Sequence, residues 1–403
     1  MMKNRRWFFG LIGILLLAAC ARVGITPVSQ TAVHTPTPEQ ANAASPCPNP
    51  LTERQFPLPP WPRTNFCRHT VPYEEIRFGG VQRDSIPAID TPIFDTVAQG
   101  SQWLADVEPV LAFVWQDDAR AYPLQILVWH EIVNDVVGGR PVVVTYCPLC
   151  DSGLVFDRTI NGQVLDFGTT GNLRNADLIM YDRQTESWWQ QFTGTAIVGE
   201  MTGQQLTLLP AGIVSWGEFR AQFPNGRILL GDASGTEREY GKTPYINYDA
   251  LSNPRTSFFD GETDGRLPPK MRVMGVEIDN VAIAYPYSLL SEQQVVNDTI
   301  ANQPLVIFWK SGTVSPLYRE VIAESRDVGS AAVFSRELDG QILTFVPGET
   351  YFQDAETGSE WNLWGTAVSG PLAGSQLTRL RGHEFLWFAW AAFHPDTLIY
   401  TSN

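Results

Sequence analysis

One run of residues occurs twice in this chain, and the repetition constrains the fold more than any other feature. Residues 121–135 read AYPLQILVWHEIVND, and residues 284–298 read AYPYSLLSEQQVVND, which aligns without a gap. The match continues from residues 141–144 into residues 304–307. Because self-similarity on this scale marks repeated structural units, the sequence predicts two related modules in tandem.

The repeat resumes after an insertion in the second copy and continues almost to the C-terminus. Residues 208–229 align with residues 379–400. Several polar and aromatic residues stand at equivalent positions in both copies, namely Asn134 and Asn297, Asp135 and Asp298, Asp182 and Asp354, and Trp189 and Trp361. Since two copies with different roles share only their architecture, we expect these residues to serve the common fold.

The local pattern favours strands. Short runs rich in β-branched and aromatic residues are bounded by Gly, Asn, Asp or Pro, which is typical of strands. Asn161-Gly162 predicts a hairpin turn, and Asp339-Gly340 repeats it in the second copy. Residues 125–133 and 216–223 are the helix candidates. We therefore expect a mainly β (α+β) fold with two tandem β-rich modules and a few short helices.

The N-terminus has the composition of an export signal. A basic start at residues 3–6 precedes an apolar run that ends in Leu-Ala-Ala-Cys20. This predicts a signal peptide over residues 1–20, too short to span a membrane comfortably. The ending resembles the lipobox of bacterial lipoproteins, which implies cleavage before Cys20 and lipidation of its sulfur; an uncleaved anchor helix is the alternative. Both place the folded part in the cell envelope, on the extracytoplasmic face of a membrane.

The remaining organisation follows from composition. Residues 21–70 contain a Pro/Ser/Thr-rich stretch and are expected to form a tether. Cys47 and Cys67 lie in its distal part and predict a structural disulfide in an oxidising compartment. The first module is assigned to residues 71–240 and the second to residues 241–403. The formal net charge of −15 argues against a nucleic-acid partner, so the membrane, through the lipid anchor, is the one partner the sequence suggests.

The segment with the clearest candidates for metal binding or redox chemistry is TYCPLCDS. Its Cys147 and Cys150 are the only cysteines of the mature chain at metal-ligand or redox spacing. The second copy has Lys310 and Thr313 at these positions, and Gln293 in place of His130. The joint absence of two thiols and one imidazole predicts that the three form a single site, and their chemistry suits copper or zinc.

We expect further residues at or near this site. Three ligands leave a fourth position, for which Met180, Asp151 and Asp182 are candidates. The Gly/Asn-rich segment 168–177 is nearly absent from the second copy, and we expect it to be a loop that borders the site. The expected border residues are Tyr146, Asp151, Arg174 and Met180.

Two alternatives stay open at this point, so the sequence does not decide whether the protein is an enzyme. A thiol–disulfide or metal-dependent oxidoreductase would also use CxxC, although residues 151–156 lack the helical period that normally follows a redox CxxC. A non-catalytic binding or assembly lipoprotein would hold Cys147 and Cys150 in a structural disulfide and bury His130 as a satisfied side chain.

The motifs AYPLQILVWHEIVND, VTYCPLCDSGLVFDR and FGTTGNLRNADLIMYDR together resemble the domain of unknown function numbered 3179. The resemblance covers roughly residues 80–230, with a degenerate second copy over about 250–400. It implies an exported or membrane-attached bacterial or archaeal protein, and a CPLC motif with an upstream histidine, here Cys147, Cys150 and His130. It implies no established activity. The second copy departs from the motif and is expected to be a scaffold or partner surface.

Overall fold

The computed structural model describes Cys47, residues 61–232 and residues 238–402. The predicted signal peptide, its lipidation residue Cys20 and most of the predicted tether lie outside the described residues. Cys47 is joined to Cys67 by a disulfide bond, the pairing that the sequence suggests. In the described part of the chain, no helix is both long and apolar enough to cross a membrane.

The first half consists mainly of short strands. After a 3-10 turn at Tyr73–Glu75, its strands are β1 (Ile76–Phe78), β2 (Pro92–Thr96), β3 (Pro109–Trp115), β4 (Asp118–Pro123), β5 (Ile132–Val137), β6 (Arg140–Cys147), β7 (Ser152–Asp157), β8 (Thr159–Ile160), β9 (Gln163–Val164), β10 (Phe167–Arg174), β11 (Asp177–Asp182), β12 (Trp188–Gln190), β13 (Thr195–Val198), β14 (Thr207–Leu209), β15 (Ala211–Ser215) and β16 (Arg227–Asp232). Its helices are α1 (Val97–Gly100), α2 (Leu124–His130) and α3 (Trp216–Gln222).

The second half has a similar series of strands, most of them as long as in the first half and some shorter. They are β17 (Arg272–Ile278), β18 (Val281–Pro286), β19 (Val295–Ile300), β20 (Gln303–Lys310), β21 (Ser330–Ser335), β22 (Glu337–Leu338), β23 (Gln341–Ile342), β24 (Phe345–Val346), β25 (Phe352–Asp354), β26 (Glu360–Trp361), β27 (Ala367–Ser369), β28 (Gly382–Leu386) and β29 (Leu398–Ile399). Its helices are α4 (Tyr287–Gln293) and α5 (Trp387–Phe393), with a 3-10 turn at Ile322–Glu324. The fold is β-rich with a few short helices, which confirms the predicted fold class.

The two halves arrange their strands in the same order. One sheet of the first half runs β15-β3-β4-β16, extended by β2, and its counterpart runs β28-β17-β18-β29. In both sheets the fourth strand is parallel to the third, whereas the other pairs are antiparallel. The sheet β7-β6-β5, with β14 at its edge, corresponds to β21-β20-β19, and β10 to β13 correspond to β24 to β27. Both halves therefore present the same scaffold.

Buried polar contacts recur in both halves at the positions that the repeat retains. Trp189 Nε1 donates to Asp182 Oδ2 at 2.9 Å, and Trp361 Nε1 donates to Asp354 Oδ2 at 2.8 Å. Each carboxylate also accepts from the backbone and side chain of a threonine three residues later. Since burial without partners would cost these groups free energy, the contacts fix each hairpin in place.

A second recurring contact joins neighbouring sheets. Asn134 pairs with both the N–H and the carbonyl of Phe167, at 2.9 and 2.8 Å. Asn297 makes the same two bonds with Phe345, again at 2.9 and 2.8 Å. An amide side chain that takes both backbone groups of one residue acts as a clip between strands. The residues that both copies retain therefore have structural roles in the fold.

The predicted turns and helices are confirmed. Asn161 and Gly162, at φ of 50° and 80°, join β8 to β9, and Asp339 and Gly340, at 51° and 80°, join β22 to β23. Positive φ at both central residues is the requirement of a type I′ hairpin, which Asn-Gly and Asp-Gly meet at low cost. The two helix candidates correspond to α2 and α3.

The predicted loop at residues 168–177 is wrong. Most of it is β10, which pairs with β1 on one side and β11 on the other. The register of β10 against β11 shifts between Thr169 and Leu173, around Gly171 at φ 77°. A bulge at a glycine interrupts the strand pattern, so the segment is typical of a loop by composition although most of it is a strand that ends in the turn at Asn175 and Ala176.

Packed structure also begins before the predicted module boundary at residue 71. Trp61 and Phe66 are buried, and their rings lie 5.2 and 5.6 Å from the ring of Trp188. The described residues all belong to one compact unit. The core cluster that holds Cys147 and Cys150 also contains apolar side chains of the second half, so the two halves bury a common core.

Candidate metal centre

The CPLC segment is a tight turn between two core strands. β6 ends at Cys147, β7 begins at Ser152, and the Cys150 N–H donates to the Cys147 carbonyl at 3.2 Å. Both cysteines are buried free thiols. The alternative of a structural disulfide between them is therefore not the state of this structure. The β-branched run of β6 places the turn inside the core, because its side chains are buried on both faces of the strand.

A second turn meets the thiols from another sheet. β10 and β11 are joined by Asn175 and Ala176, both with positive φ, at 52° and 62°. For alanine this conformation is strained, and strain of this kind costs about 1–3 kcal/mol. The turn brings the Ala176 carbonyl oxygen to 3.7 Å from Cys147 Sγ and 3.6 Å from Cys150 Sγ. The strained turn therefore places one carbonyl oxygen where both thiols can donate to it.

The first residue of β11 completes the cluster. Cys147 Sγ, Cys150 Sγ and a carboxylate oxygen of Asp177 all lie within 4.8 Å of one another. The other face of this carboxylate is anchored, because Asp177 Oδ2 accepts from Gln190 Nε2 at 2.6 Å and from the Phe192 N–H at 2.9 Å. Asp177 Oδ1 is buried and accepts from no nitrogen or hydroxyl group, and the carboxylate interacts with the two thiols. One oxygen is thus held in place and the other is available as a ligand.

Burial shapes the protonation of these groups. Desolvation raises the pKa of both thiols above the usual range, and it raises the pKa of Asp177 to about 7 against the lowering effect of its hydrogen bonds. Burial, and then the nearby Asp177 carboxylate, raises the pKa of Glu131 to about 8. Four acidic groups packed together without a compensating cation favour their neutral forms. A bound cation would reverse that preference.

His130 lies at the end of α2 and is fully buried. Its Nδ1 lies 2.8 Å from the Pro87 carbonyl oxygen and its Nε2 lies 2.7 Å from the Tyr240 hydroxyl. Because a carbonyl can only accept, Nδ1 carries the proton and Nε2 accepts from Tyr240. The group of mutually close donor atoms in the described residues contains Asp177 and does not contain His130. Ligation by His130 stays a prediction that the hydrogen bonds of this structure do not favour.

Asp151, another expected ligand, is committed elsewhere. It accepts from the Tyr146 hydroxyl at 2.8 Å and forms a buried ion pair with Arg272 of the second half. Arg272 also reaches Asp249 at 3.3 Å. Since both oxygens of Asp151 have partners, the residue links the CPLC turn to the second half.

The second half covers the turn directly. The Leu386 N–H donates to the Cys150 carbonyl at 2.8 Å, and the Tyr248 hydroxyl donates to the Leu149 carbonyl at 2.9 Å. Hydrogen bonds of this kind are what the expected scaffold role of the second half requires. The half without thiols holds the backbone of the thiol turn in place.

The remaining expected border residues are spread around the cluster. Met180 is buried in the same core as the thiols. Arg174 is the last residue of β10, and its guanidinium pairs with Glu75 at 2.6 Å, so its charge is used at the hairpin end. Asp182 has the structural contacts described above.

Sequence reasoning missed Asp177, Ala176 and Glu131. Asp177 and Ala176 lie in the segment 168–177, which was singled out because the second copy nearly lacks it. That absence was a usable signal for the carboxylate as well as for the segment. Glu131 follows His130 directly at φ 59°, where the helix ends, and nothing in its local pattern sets it apart.

Comparison with known proteins gives one match. A family model described as "Protein of unknown function (DUF3179)" matches residues 83–397. The match is continuous across both halves, so the half without the thiols is part of the family's domain. No curated protein and no solved structure matches the chain significantly.

Proposed function

We propose that this chain, which belongs to the DUF3179 family of proteins of unknown function, binds one zinc or copper ion through Cys147, Cys150 and Asp177. The Ala176 carbonyl would supply the fourth donor. One observation carries the proposal: a buried carboxylate oxygen of Asp177 accepts from no nitrogen or hydroxyl group, and the groups beside it are two free thiols. Burial favours the protonated forms of these acidic groups, and a cation at this point would stabilise their charged, ligating forms.

The donor spacing supports a tetrahedral ion. Zinc has bonds of about 2.3 Å to sulfur and about 2.0 Å to oxygen, which separates a tetrahedral sulfur–oxygen pair by roughly 3.5 Å. The Ala176 oxygen lies 3.7 and 3.6 Å from the two sulfurs. The hydrogen bonds that Gln190 and Phe192 donate to the second oxygen of Asp177 are the outer support that metal-bound carboxylates commonly have.

The donor set favours zinc over copper. Carboxylate and carbonyl oxygens are hard donors, whereas Cu(I) selects soft sulfur ligands. Four protein donors in a buried pocket leave no position for substrate, which is the arrangement of structural zinc sites. The ion would tie the β6–β7 turn to the β10–β11 turn, two elements of different sheets. We therefore infer a structural rather than a catalytic ion.

Thiol–disulfide exchange is the second candidate, because the structure has two neighbouring free thiols. Reactive cysteines are partly exposed and have a lowered pKa. Here burial raises the pKa of both thiols, and a strand follows the motif instead of a helix. Labelling with a thiol-reactive reagent separates the metal site from the exchange site. The metal account expects slow labelling of the native protein and fast labelling after a chelator.

Metal analysis of the purified protein tests the proposal. We expect one zinc per chain in the wild type and a large loss in Cys147→Ser. Met180→Leu is the matched control, since it changes a buried neighbour in the same core and removes the thioether that was considered as a ligand. Metal-free wild-type protein after expression in zinc-replete medium contradicts the proposal, as does full occupancy in Cys147→Ser.

We also propose that the protein is lipid-anchored through Cys20 at the extracytoplasmic face of a membrane. The sequence of the N-terminal segment supports this, and the disulfide between Cys47 and Cys67 is consistent with an oxidising compartment. Metabolic labelling with a radioactive fatty acid is expected to mark the wild type but not Cys20→Ser. Equal labelling of both proteins would refute the anchor.

The two halves are further proposed to be products of a tandem duplication. The shared strand order and the recurring contacts of Asp182 with Trp189 and of Asp354 with Trp361 support it. After duplication, the first copy would have kept the thiols and the second would have become their support, through Arg272 and Leu386. Expression of residues 44–240 alone tests this dependence, and we expect that fragment to be aggregated or to lack metal.

A further inference from the structure

A second site of unused polar groups lies in the other half of the molecule. A cavity of about 290 Å³ is lined by the cations Lys270, Arg272 and Arg326 and by the carboxylates Asp249 and Asp327. Its apolar lining includes Leu251, Met271, Trp309 and Val328. Leu251 is about half exposed, so the cavity opens to the surface.

The lining carboxylates already have donors. Asp249 Oδ2 accepts from Arg326 at 3.0 Å, from Arg272 at 3.3 Å and from Ser315 at 2.7 Å. Arg272 is in addition paired with Asp151. The two arginines and their carboxylates therefore neutralise one another.

Asp327 is satisfied by the backbone. Its two oxygens accept from the N–H groups of Gly312 and Gly329, both at 2.8 Å. Neither lining carboxylate forms an ion pair with Lys270.

Lys270 is the exception in this network. The residue is 1% exposed, and within the described residues it forms neither an ion pair nor a hydrogen bond. Its ammonium nitrogen lies 3.3 Å from the centroid of the Tyr248 ring. A cation–π contact contributes about 2 kcal/mol when desolvated, whereas removing an ion from water costs several kcal/mol. Burial lowers the pKa of Lys270 to about 7, against the smaller raising effects of Cys150, Asp249 and Asp151, so the amine has acidic groups in its surroundings but no direct counterion.

Other lining residues have unused donors as well. Arg272 Nε, Arg326 Nε and Trp309 Nε1 are buried without an acceptor, in addition to Lys270 Nζ. The one unpartnered lining acceptor among the described residues is Asp249 Oδ1. Because buried donors in folded proteins almost always have partners, four unpartnered donors around one cavity indicate a missing acceptor-rich group.

We propose that this cavity binds a small organic monocarboxylate, with its carboxylate at Lys270 and its carbon chain against the apolar lining. A carboxylate offers two acceptor oxygens and one negative charge, which matches one unpaired cation and several neighbouring N–H donors. The volume lies near the lower end of the range of ligand pockets and suits an acid of a few carbons. The cavity lining contains none of the proposed metal ligands, although Arg272 of the lining also pairs with Asp151 beside the CPLC turn.

Calorimetric titration of the purified full-length protein with butyrate tests the proposal, with inorganic phosphate as the second probe. We expect butyrate to bind and phosphate to bind at least tenfold more weakly, because phosphate cannot use the apolar lining. Lys270→Met should abolish butyrate binding while it raises the melting temperature of the ligand-free protein, since it removes an unpaired buried charge. Lys242→Met is the matched control, an exposed lysine paired with Glu239 and Glu320, and should bind as the wild type does.

Three outcomes would overturn the proposal. Absence of butyrate binding to the wild type removes the site, and equal binding by Lys270→Met removes the role of the lysine. Phosphate binding as tight as butyrate binding overturns the ligand class. If Lys270→Met does not fold, Trp309→Phe replaces it, and we expect a loss of several-fold in affinity from the missing indole N–H. We expect the same butyrate affinity after chelation of the metal, which would show that the cavity binds its ligand independently of the metal centre.

Discussion

Replacement of Asp177 by asparagine distinguishes a ligand from a merely buried acid. The two side chains have the same shape, and an asparagine carbonyl can still accept from Gln190 and the Phe192 N–H. What changes is the atom that faces the thiols, where an NH2 group without charge replaces the carboxylate oxygen. We therefore expect Asp177→Asn to fold and to lose most of its affinity for zinc.

The pH dependence of stability gives the magnitude. Burial raises the pKa of Asp177 from its ordinary value of 3.8 to about 7, which corresponds to roughly 4 kcal/mol. Between these values the folded metal-free chain keeps a proton that the unfolded chain releases. The free energy of unfolding of the metal-free wild type therefore falls as pH rises from about 4 to about 7. Asp177→Asn lacks this contribution, so its stability should fall by roughly 4 kcal/mol less over the same window.

Urea denaturation at pH 4, 6 and 8, with chelator and with excess zinc, is the assay. Zinc should reverse the trend in the wild type, because its ligands bind the ion only after releasing their protons. Asp182→Asn is the matched control, a buried carboxylate at the other end of β11 that accepts from Trp189 at 2.9 Å. It should lower stability without a loss of zinc. Equal zinc affinity and equal pH dependence in Asp177→Asn and wild type would refute the reasoning.

Three further substitutions have distinct expected outcomes. Cys150→Ser should bind zinc at least a hundredfold more weakly, as measured by competition with a chromophoric chelator, and wild-type affinity would exclude that thiol. His130→Gln should keep its zinc but lower the melting temperature, because it loses the contacts with Pro87 and Tyr240; loss of zinc at unchanged stability would restore the histidine as a ligand. Arg272→Met should cost about 3–5 kcal/mol in urea denaturation, since it leaves buried carboxylates without their cation, and a neutral effect would contradict the coupling of the two halves.

Local patterns were sufficient for most strands, the two hairpin turns and the thiol pair, but not for β10, which has the composition of a loop. Asn161-Gly162 determines its own turn geometry, and CxxC spacing alone places Cys147 beside Cys150. The repeat added a second kind of information, because residues retained in both copies, such as Asn134, have structural roles. These features depend on a few neighbouring residues, so they can be read from the sequence.

The rest of the site depends on contacts that no local pattern encodes. The Ala176 carbonyl is 29 residues from Cys147 along the chain and reaches it through a strained turn between two other strands. His130 is absent from the second copy together with the thiols, which pointed to a ligand, but its ring nitrogens face Pro87 and Tyr240. Joint absence therefore indicated the region where, in the described residues, the two thiols and Asp177 lie close together, but His130 is not part of that group.

X-ray absorption at the zinc edge of the loaded protein tests the central claim most directly. The account predicts a first shell of two sulfurs at about 2.3 Å and two oxygens at about 2.0 Å. It also predicts that the multiple-scattering signal of a bound imidazole is absent. A shell that contains histidine, or a shell of oxygens alone, would contradict the assignment of Cys147, Cys150 and Asp177 as the metal centre.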